Sequence, residues 1–130
     1  WDVYSLYNEG RKITSNCKRC PKTTALLESI PKVRSASFSA LSPESYIHTH
    51  TGDDTSIWSC HLGLIVPDPL PDHDRRSTCI LTANTCGMRV DNDIYHWYPG
   101  KTQVFDDTLE HCAWNWGNRT RFILMFSFKK

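Results

Sequence analysis

The sequence predicts a mainly β, single-domain protein, a sandwich or barrel of short strands with one short helix near its N-terminus. Apolar and polar residues alternate with a period of two over most of the chain. Gly, Pro, Asn and Asp punctuate these segments at short intervals, and only one segment carries apolar residues at helical spacing. Several strands spaced this way predict a sandwich or barrel.

Val3-Tyr4-Ser5-Leu6-Tyr7 alternates and is rich in aromatic and branched residues, so it reads as a strand, closed by the turn residues Asn8-Glu9-Gly10. Pro21 to Ile30 is the helix: Pro21 suits a first turn, Leu26, Leu27 and Ile30 share a face, and Pro31 stops the run. Val33 to Leu41 alternates around Ala36, Phe38 and Ala40, and Ile57 to Val66 carries Trp58, Cys60, Leu62, Leu64 and Val66 on one side, predicting half-buried strands. Gly87 to Val90, Ile94 to Tyr98, Thr102 to Phe105, Cys112 to Trp116 and Arg121 to Phe128 complete the series. Between them, residues 67–85 hold three prolines in five residues followed by Asp72-His73-Asp74-Arg75-Arg76, which reads as a surface insertion.

A chain of 130 residues with 39% hydrophobic side chains and five each of Trp, Tyr and Phe excludes disorder and leaves room for one core, so a single domain spans 1–130. The net charge of +1 and the scattered basic residues argue against a nucleic-acid partner. The strongest apolar stretch, Phe122 to Phe126, is far short of the ~20 residues a membrane helix needs. The chain opens on Trp1, which leads us to expect an upstream segment in the parent protein.

Six cysteines, Cys17, Cys20, Cys60, Cys79, Cys86 and Cys112, are an even number and point to disulfides in an oxidising compartment, the secretory lumen or the extracellular space. They also read as buried thiols. Cys17-Lys-Arg-Cys20 would make half a zinc site but has no second pair at that spacing. Asn118-Arg-Thr120 is an N-glycosylation pattern in keeping with the same compartment.

Six histidines carry the chemistry. Two histidines remote in sequence can meet at the mouth of a barrel and hold a metal through neutral imidazole nitrogens. His50 and His111 are preferred, because each lies beside a turn where a strand ends. Asp106 and Asp107 are not a catalytic pair: adjacent strand residues face opposite ways, so they read as a turn and hydrogen-bonding pair supporting His111.

His50-Thr51-Gly52, His61-Leu62-Gly63-Leu64 eleven residues on, Gly100-Lys101 before Val104-Phe105-Asp106-Asp107, Glu110-His111 and then Arg121 resemble the catalytic domain of the aspartyl/asparaginyl beta-hydroxylases. Trp1, Leu6-Tyr7, Gly10-Arg11, Cys17, Pro21-Lys22-Thr23 and Leu26-Leu27-Glu28 extend the resemblance to the start of the chain. The resemblance implies a double-stranded beta-helix, the jelly-roll or cupin-like barrel. It also implies an Fe(II)- and 2-oxoglutarate-dependent dioxygenase in which His50 and His111 hold the metal and Gly52 stands where related oxygenases carry an acidic ligand. Arg121 and Ser39 would take the distal carboxylate of 2-oxoglutarate and His61 would lie near its other carboxylate, with molecular oxygen as co-reactant. The implied substrate is an aspartyl or asparaginyl side chain of a protein or peptide, for which disulfide-rich modules are one source; other relatives accept lipids or small molecules.

The sequence departs from the family pattern at Ser59, two residues before His61, where the resemblance implies an arginine contacting the keto-acid end of 2-oxoglutarate; Arg89, Arg75 or Arg76 would have to supply that charge. Asp53 is a second candidate ligand beside Gly52. Two other readings remain open. His48, His50 and His111, with Asp54 and Asn115 nearby, suggest a cupin-type metal enzyme, and Trp97, Trp114 and Trp116 suggest a non-catalytic module binding peptide or carbohydrate on aromatic platforms.

Overall fold

The computed structural model describes residues 1–67 and 86–130. The expected insertion at 67–85 therefore lies, but for Pro67, outside the described residues. The elements are β1 (Asp2–Asn8), β2 (Arg11–Lys12), α1 (Thr14–Arg19), α2 (Pro21–Glu28), β3 (Val33–Leu41), β4 (Ser45–His50), β5 (Ile57–Ile65), β6 (Cys86–Val90), β7 (Asp93–Tyr95), β8 (Thr102–Phe105), β9 (His111–Asn115) and β10 (Arg121–Lys129). They form a six-stranded sheet in the order β2-β1-β3-β10-β5-β8 and a four-stranded sheet in the order β4-β9-β6-β7. Neighbouring strands run antiparallel, and β10, at the end of the chain, pairs with both β3 and β5.

Strand alternation gives the large sheet two distinct faces. Ala36, Leu124 and, less deeply, Phe38 and Phe126 point outward, where Leu27 of α2 and Cys17 of α1 pack with Leu6, Tyr7 and Val33 in one core. The opposite face carries Ile123 and Phe105 toward Met88 and Val90 of the small sheet, with Trp97 and Cys86, in a second core. Strand parity turns Ser35, Ser37 and Ser39 toward a cavity between the sheets.

The structure departs from expectation at several elements. Two helices stand where one was read. α1 has no apolar stripe and no side-chain cap; tertiary bonds hold it, Asn16 Nδ2 donating to Ser5 O at 2.8 Å and Cys17 Sγ to Leu6 O at 3.2 Å. In α2 the buried side chains are Thr24 and Leu27, while Leu26 is exposed. β2, only two residues long, and β4, mostly exposed, give too little alternation to be read. On β5 the apolar side was expected to be buried, yet Trp58 and Leu64 are exposed, because of this strand only Leu62 packs against the core beneath the helices.

The disulfide expectation is corrected for the described residues. Cys17, Cys20, Cys60, Cys86 and Cys112 are all free thiols, and all but Cys20 are buried. They pack as small apolar side chains. Cys79 lies outside the described residues. Among the described residues no helix is long and apolar enough to cross a membrane.

Gly63 shows how the sheet is shaped around the site. A Cβ there would lie 2.3 Å from the carbonyl oxygen of Tyr98. Only glycine lets the 98–101 backbone cross so closely, with Gly63 N donating to Lys101 O at 3.0 Å and Gly100 N to Gly63 O at 2.9 Å. This crossing anchors the segment just after Trp97 over the large sheet.

Candidate active site

Between the two sheets lies a cavity of about 240 Å³ lined by Ser39, His50, His61, His111 and Arg121 together. All five residues chosen from sequence thus meet in one place. β4 and β9 bring the two preferred histidines into register, His50 opposite His111, with ring centroids 4.2 Å apart. A register shift between Ile47 and His50 puts both of these on the cavity wall. His48, which simple parity would set on the same face as His50, is instead exposed and rests edge-on against Tyr46 at 5.3 Å. It does not line the cavity, and neither does the exposed Asp53.

Both histidines are oriented the same way. His50 Nδ1 lies 2.7 Å from His48 O, and His111 Nδ1 lies 2.7 Å from Leu109 O. A carbonyl only accepts, so each Nδ1 carries the proton and each Nε2 keeps a lone pair for a metal. Burial pushes His111 below the ordinary imidazole value, the hydrogen bond to Leu109 opposes this, and His50 adds to the depression. The neutral, ligating form is thereby favoured at neutral pH.

Beside the pair stands a residue that sequence reading misjudged. Asp106 is the turn residue, its Oδ1 accepting from Thr108 N and Oγ1 and its Oδ2 from Lys130 Nζ. Asp107 turns the other way, into the cavity. Its Oδ2 accepts from Ser59 Oγ at 3.1 Å, and its buried Oδ1 has no hydrogen-bond partner. A Cβ on Gly52 would come within 2.9 Å of the Asp107 Cγ and Oδ1, so Gly52 leaves space for this carboxylate. An orphaned, buried carboxylate oxygen is costly unless a cation or its water shell completes it. The missing side chain at Gly52 was the signal in the sequence that could have pointed to Asp107.

Arg121 is buried to 1% exposure and its Nη2 donates to Ser39 Oγ at 2.8 Å. Its guanidinium lies 4.5 Å above the Trp97 ring, and its Nε has no partner. No carboxylate pairs with it among the described residues, and burial lowers its pKa to about 10. Ser39 accepts from Arg121 and also from Trp1 Nε1 at 2.8 Å. With both lone pairs used, its own O–H is left to donate into the cavity.

His61 completes the wall with the opposite tautomer. Trp97 Nε1 donates to His61 Nδ1 at 3.4 Å, so the proton sits on Nε2. Burial first, then Arg121 and His111, push its pKa down to about 3. Between pH 6.5 and 3 the unfolded chain takes up a proton that the native one refuses, so stability falls with acidification over that window. The fold is expected to be about 2–3 kcal/mol less stable at pH 4.5 than at pH 7.5 through this group. Urea unfolding at the two pH values checks it, and His61→Gln should show a smaller drop.

The profile of the aspartyl/asparaginyl beta-hydroxylase family matches residues 1–130. The chain belongs to that family. An ornithine lipid ester-linked acyl 2-hydroxylase of Rhizobium tropici is 37% identical over 130 residues, covering 100% of this chain and 42% of that protein. The human aspartyl/asparaginyl beta-hydroxylase is 28% identical, covering 96% of the chain and 15% of its own length. The chain therefore spans less than half the length of these relatives. Among solved structures, the cupin domain of an XRE-family transcriptional regulator from Enterobacter cloacae superposes with a TM-score of 0.59 over 99% of this chain and 96% of its own, at 12% identity. A predicted oxalate decarboxylase of Thermotoga maritima superposes at 0.53, over 84% and 75%, at 14% identity. These two likenesses establish the jelly-roll fold alone.

Within this domain, Arg89 supplies no charge to the cavity. It donates to Glu110 Oε1 at 3.1 Å and to Asp91 O at 2.6 Å, outside the lining. Arg75 and Arg76 fall outside the described residues. Asn115, part of the cupin reading, is fully used as a staple, donating to Leu41 O and Arg119 O and accepting from Gly117 N. Of the three tryptophans in the binding-module reading, Trp97 and Trp114 are packed inside at 3% and 1% exposure, while Trp116 is exposed at 37%. Among the described residues no group of three His, Cys, Asp or Glu is placed to hold a metal, so Cys17 and Cys20 have no zinc partners there.

Proposed function

We propose that this hydroxylase-family chain is an Fe(II)- and 2-oxoglutarate-dependent dioxygenase. The observation that carries the reading is Arg121, a buried guanidinium with no carboxylate partner among the described residues, in the same cavity as two imidazoles that share one tautomer. A dicarboxylate that reaches a metal satisfies both.

The donor set fits a divalent iron. His50 and His111 offer Nε2, and the unpartnered Asp107 Oδ1 offers an acceptor to the water that completes the shell. Arg121 and the free Ser39 O–H would grip the distal carboxylate, and His61 Nε2–H offers a donor to the keto-acid end. When bound, Fe(II) supplies the activation of oxygen, with 2-oxoglutarate oxidised to succinate and carbon dioxide while one oxygen atom enters a substrate C–H bond. The protein's part is to orient both partners and to keep bulk water out.

The human relative's name supports an aspartyl or asparaginyl side chain as the substrate, and the Rhizobium relative's name supports an ester-linked acyl chain. Of the arguments for a secretory location, the Asn118-Arg-Thr120 pattern is the one left. Protein supplied with Fe(II), ascorbate, 2-oxoglutarate and candidate aspartyl, asparaginyl and acyl substrates should form succinate well above a His111→Ala control. Equal succinate from both would overturn the reading.

A further inference from the structure

Trp97 belongs to no strand, yet its place is fixed on both sides. Gln103 Nε2 donates to His96 O at 2.5 Å just before it, and the crossing at Gly63 holds Tyr98, Gly100 and Lys101 just after it. Gly63 lies on β5 two residues beyond His61. The strand that presents His61 to the cavity therefore also anchors the segment that brings Trp97 against His61.

Two groups lean on this one buried ring. Its Nε1–H reaches His61 Nδ1 at 3.4 Å, with the two rings stacked at 28° and 6.1 Å between centroids. An indole nitrogen only donates, so the contact stands only while His61 keeps its proton on Nε2. Phe105 meets His61 edge-on at 5.0 Å and restrains its tilt, but a hydrocarbon edge does not choose between the two nitrogens. The Arg121 guanidinium lies over the face of Trp97, 4.5 Å from its centroid, an attraction that strengthens where water is excluded. On the proposed reading, Arg121 and His61 are donors at the two ends of 2-oxoglutarate. Donors set in advance at both ends spare the anion the cost of ordering them.

We infer that Trp97 is a positioning residue for the cosubstrate: its N–H holds His61 with Nε2–H offered to the keto-acid end, and its face sets the plane of Arg121 for the distal carboxylate. The inference rests on the hydroxylase reading for the identity of the anion, whereas the tautomer it requires belongs to the chain alone.

Nitrogen-15 spectra of histidine-labelled, metal-free protein at neutral pH, with the His61 signals assigned through His61→Leu, read that tautomer. Wild type should carry the His61 proton on Nε2, and Trp97→Phe should admit the Nδ1–H form. Calorimetric titration of 2-oxoglutarate into the Mn(II)-loaded chain reads the consequence. Trp97→Phe should weaken binding about three- to tenfold, the worth of one oriented hydrogen bond. In a His61→Leu background it should cost nothing further, because Phe keeps a face for Arg121, while Trp97→Leu should still weaken binding about threefold or more. The same Trp97→Phe loss in both backgrounds would mark a structural role and overturn the inference. So would an Nδ1 proton on His61 in wild type, a result that needs no variant of Trp97. Unchanged 2-oxoglutarate affinity in Trp97→Phe sinks this inference alone. A wild type that shows the expected tautomer but binds no 2-oxoglutarate sinks the hydroxylase reading, and the cosubstrate role of Trp97 with it.

Discussion

Arg121→Met should weaken 2-oxoglutarate binding to the Mn(II)-loaded protein about 100-fold or more while leaving the melting temperature unchanged or higher. Each charge-assisted hydrogen bond to a carboxylate contributes roughly 1.5–3 kcal/mol, so losing two parallel bonds gives at least this factor. The stability half of the prediction follows from burial. At 1% exposure the guanidinium has shed its water and gained one serine and one indole face in exchange, and replacing a poorly compensated buried charge by a side chain of similar volume is often neutral or stabilising. Calorimetric titration and thermal melts measure the two halves. Unchanged affinity would remove Arg121 from the cosubstrate site. A residue kept for structure alone would lose stability and leave binding intact.

The second large effect concerns Asp107 and Gly52. Asp107→Asn should weaken Mn(II) binding by about 10–100-fold, as expected when an outer-shell partner of a metal site is lost. Gly52→Asp should also weaken it, because its Cβ would collide with the Asp107 carboxylate at 2.9 Å. In an Asp107→Gly background the collision is gone and a carboxylate stands again in the same space. The double variant should therefore bind Mn(II) better than Gly52→Asp alone, a non-additivity expected of contacting residues. Additive losses would mean that the two positions do not share that space.

Much of the site was legible because it depends on spacing along strands. Ser39, His50, His61, His111 and Arg121 sit at fixed offsets, and antiparallel pairing converts those offsets into one cavity. The long strands were readable from alternation for the same reason. What escaped depends on tertiary contact. The register shift in β4 separates His48 from His50, although both parity and the cupin reading group them. Asp106 and Asp107 were rightly assigned to opposite faces, but only the packing of the turn, with Thr108 and Lys130 holding Asp106, decides which one enters the cavity. The helix α1 has a composition of loop residues and exists because β1 offers it carbonyls. The loss of charge at Ser59 was visible in the sequence, whereas its bond to Asp107 was not.

The central claim is that the two histidines and Arg121 serve one ligand that reaches from metal to guanidinium. Calorimetric titration of 2-oxoglutarate with and without saturating Mn(II), in wild type and in His111→Ala, tests this most directly. The account predicts that Mn(II) tightens 2-oxoglutarate binding at least tenfold in wild type, and that this gain collapses in the variant. Equal affinity with and without Mn(II) in wild type would mean that the metal and anion sites are independent, and would contradict it.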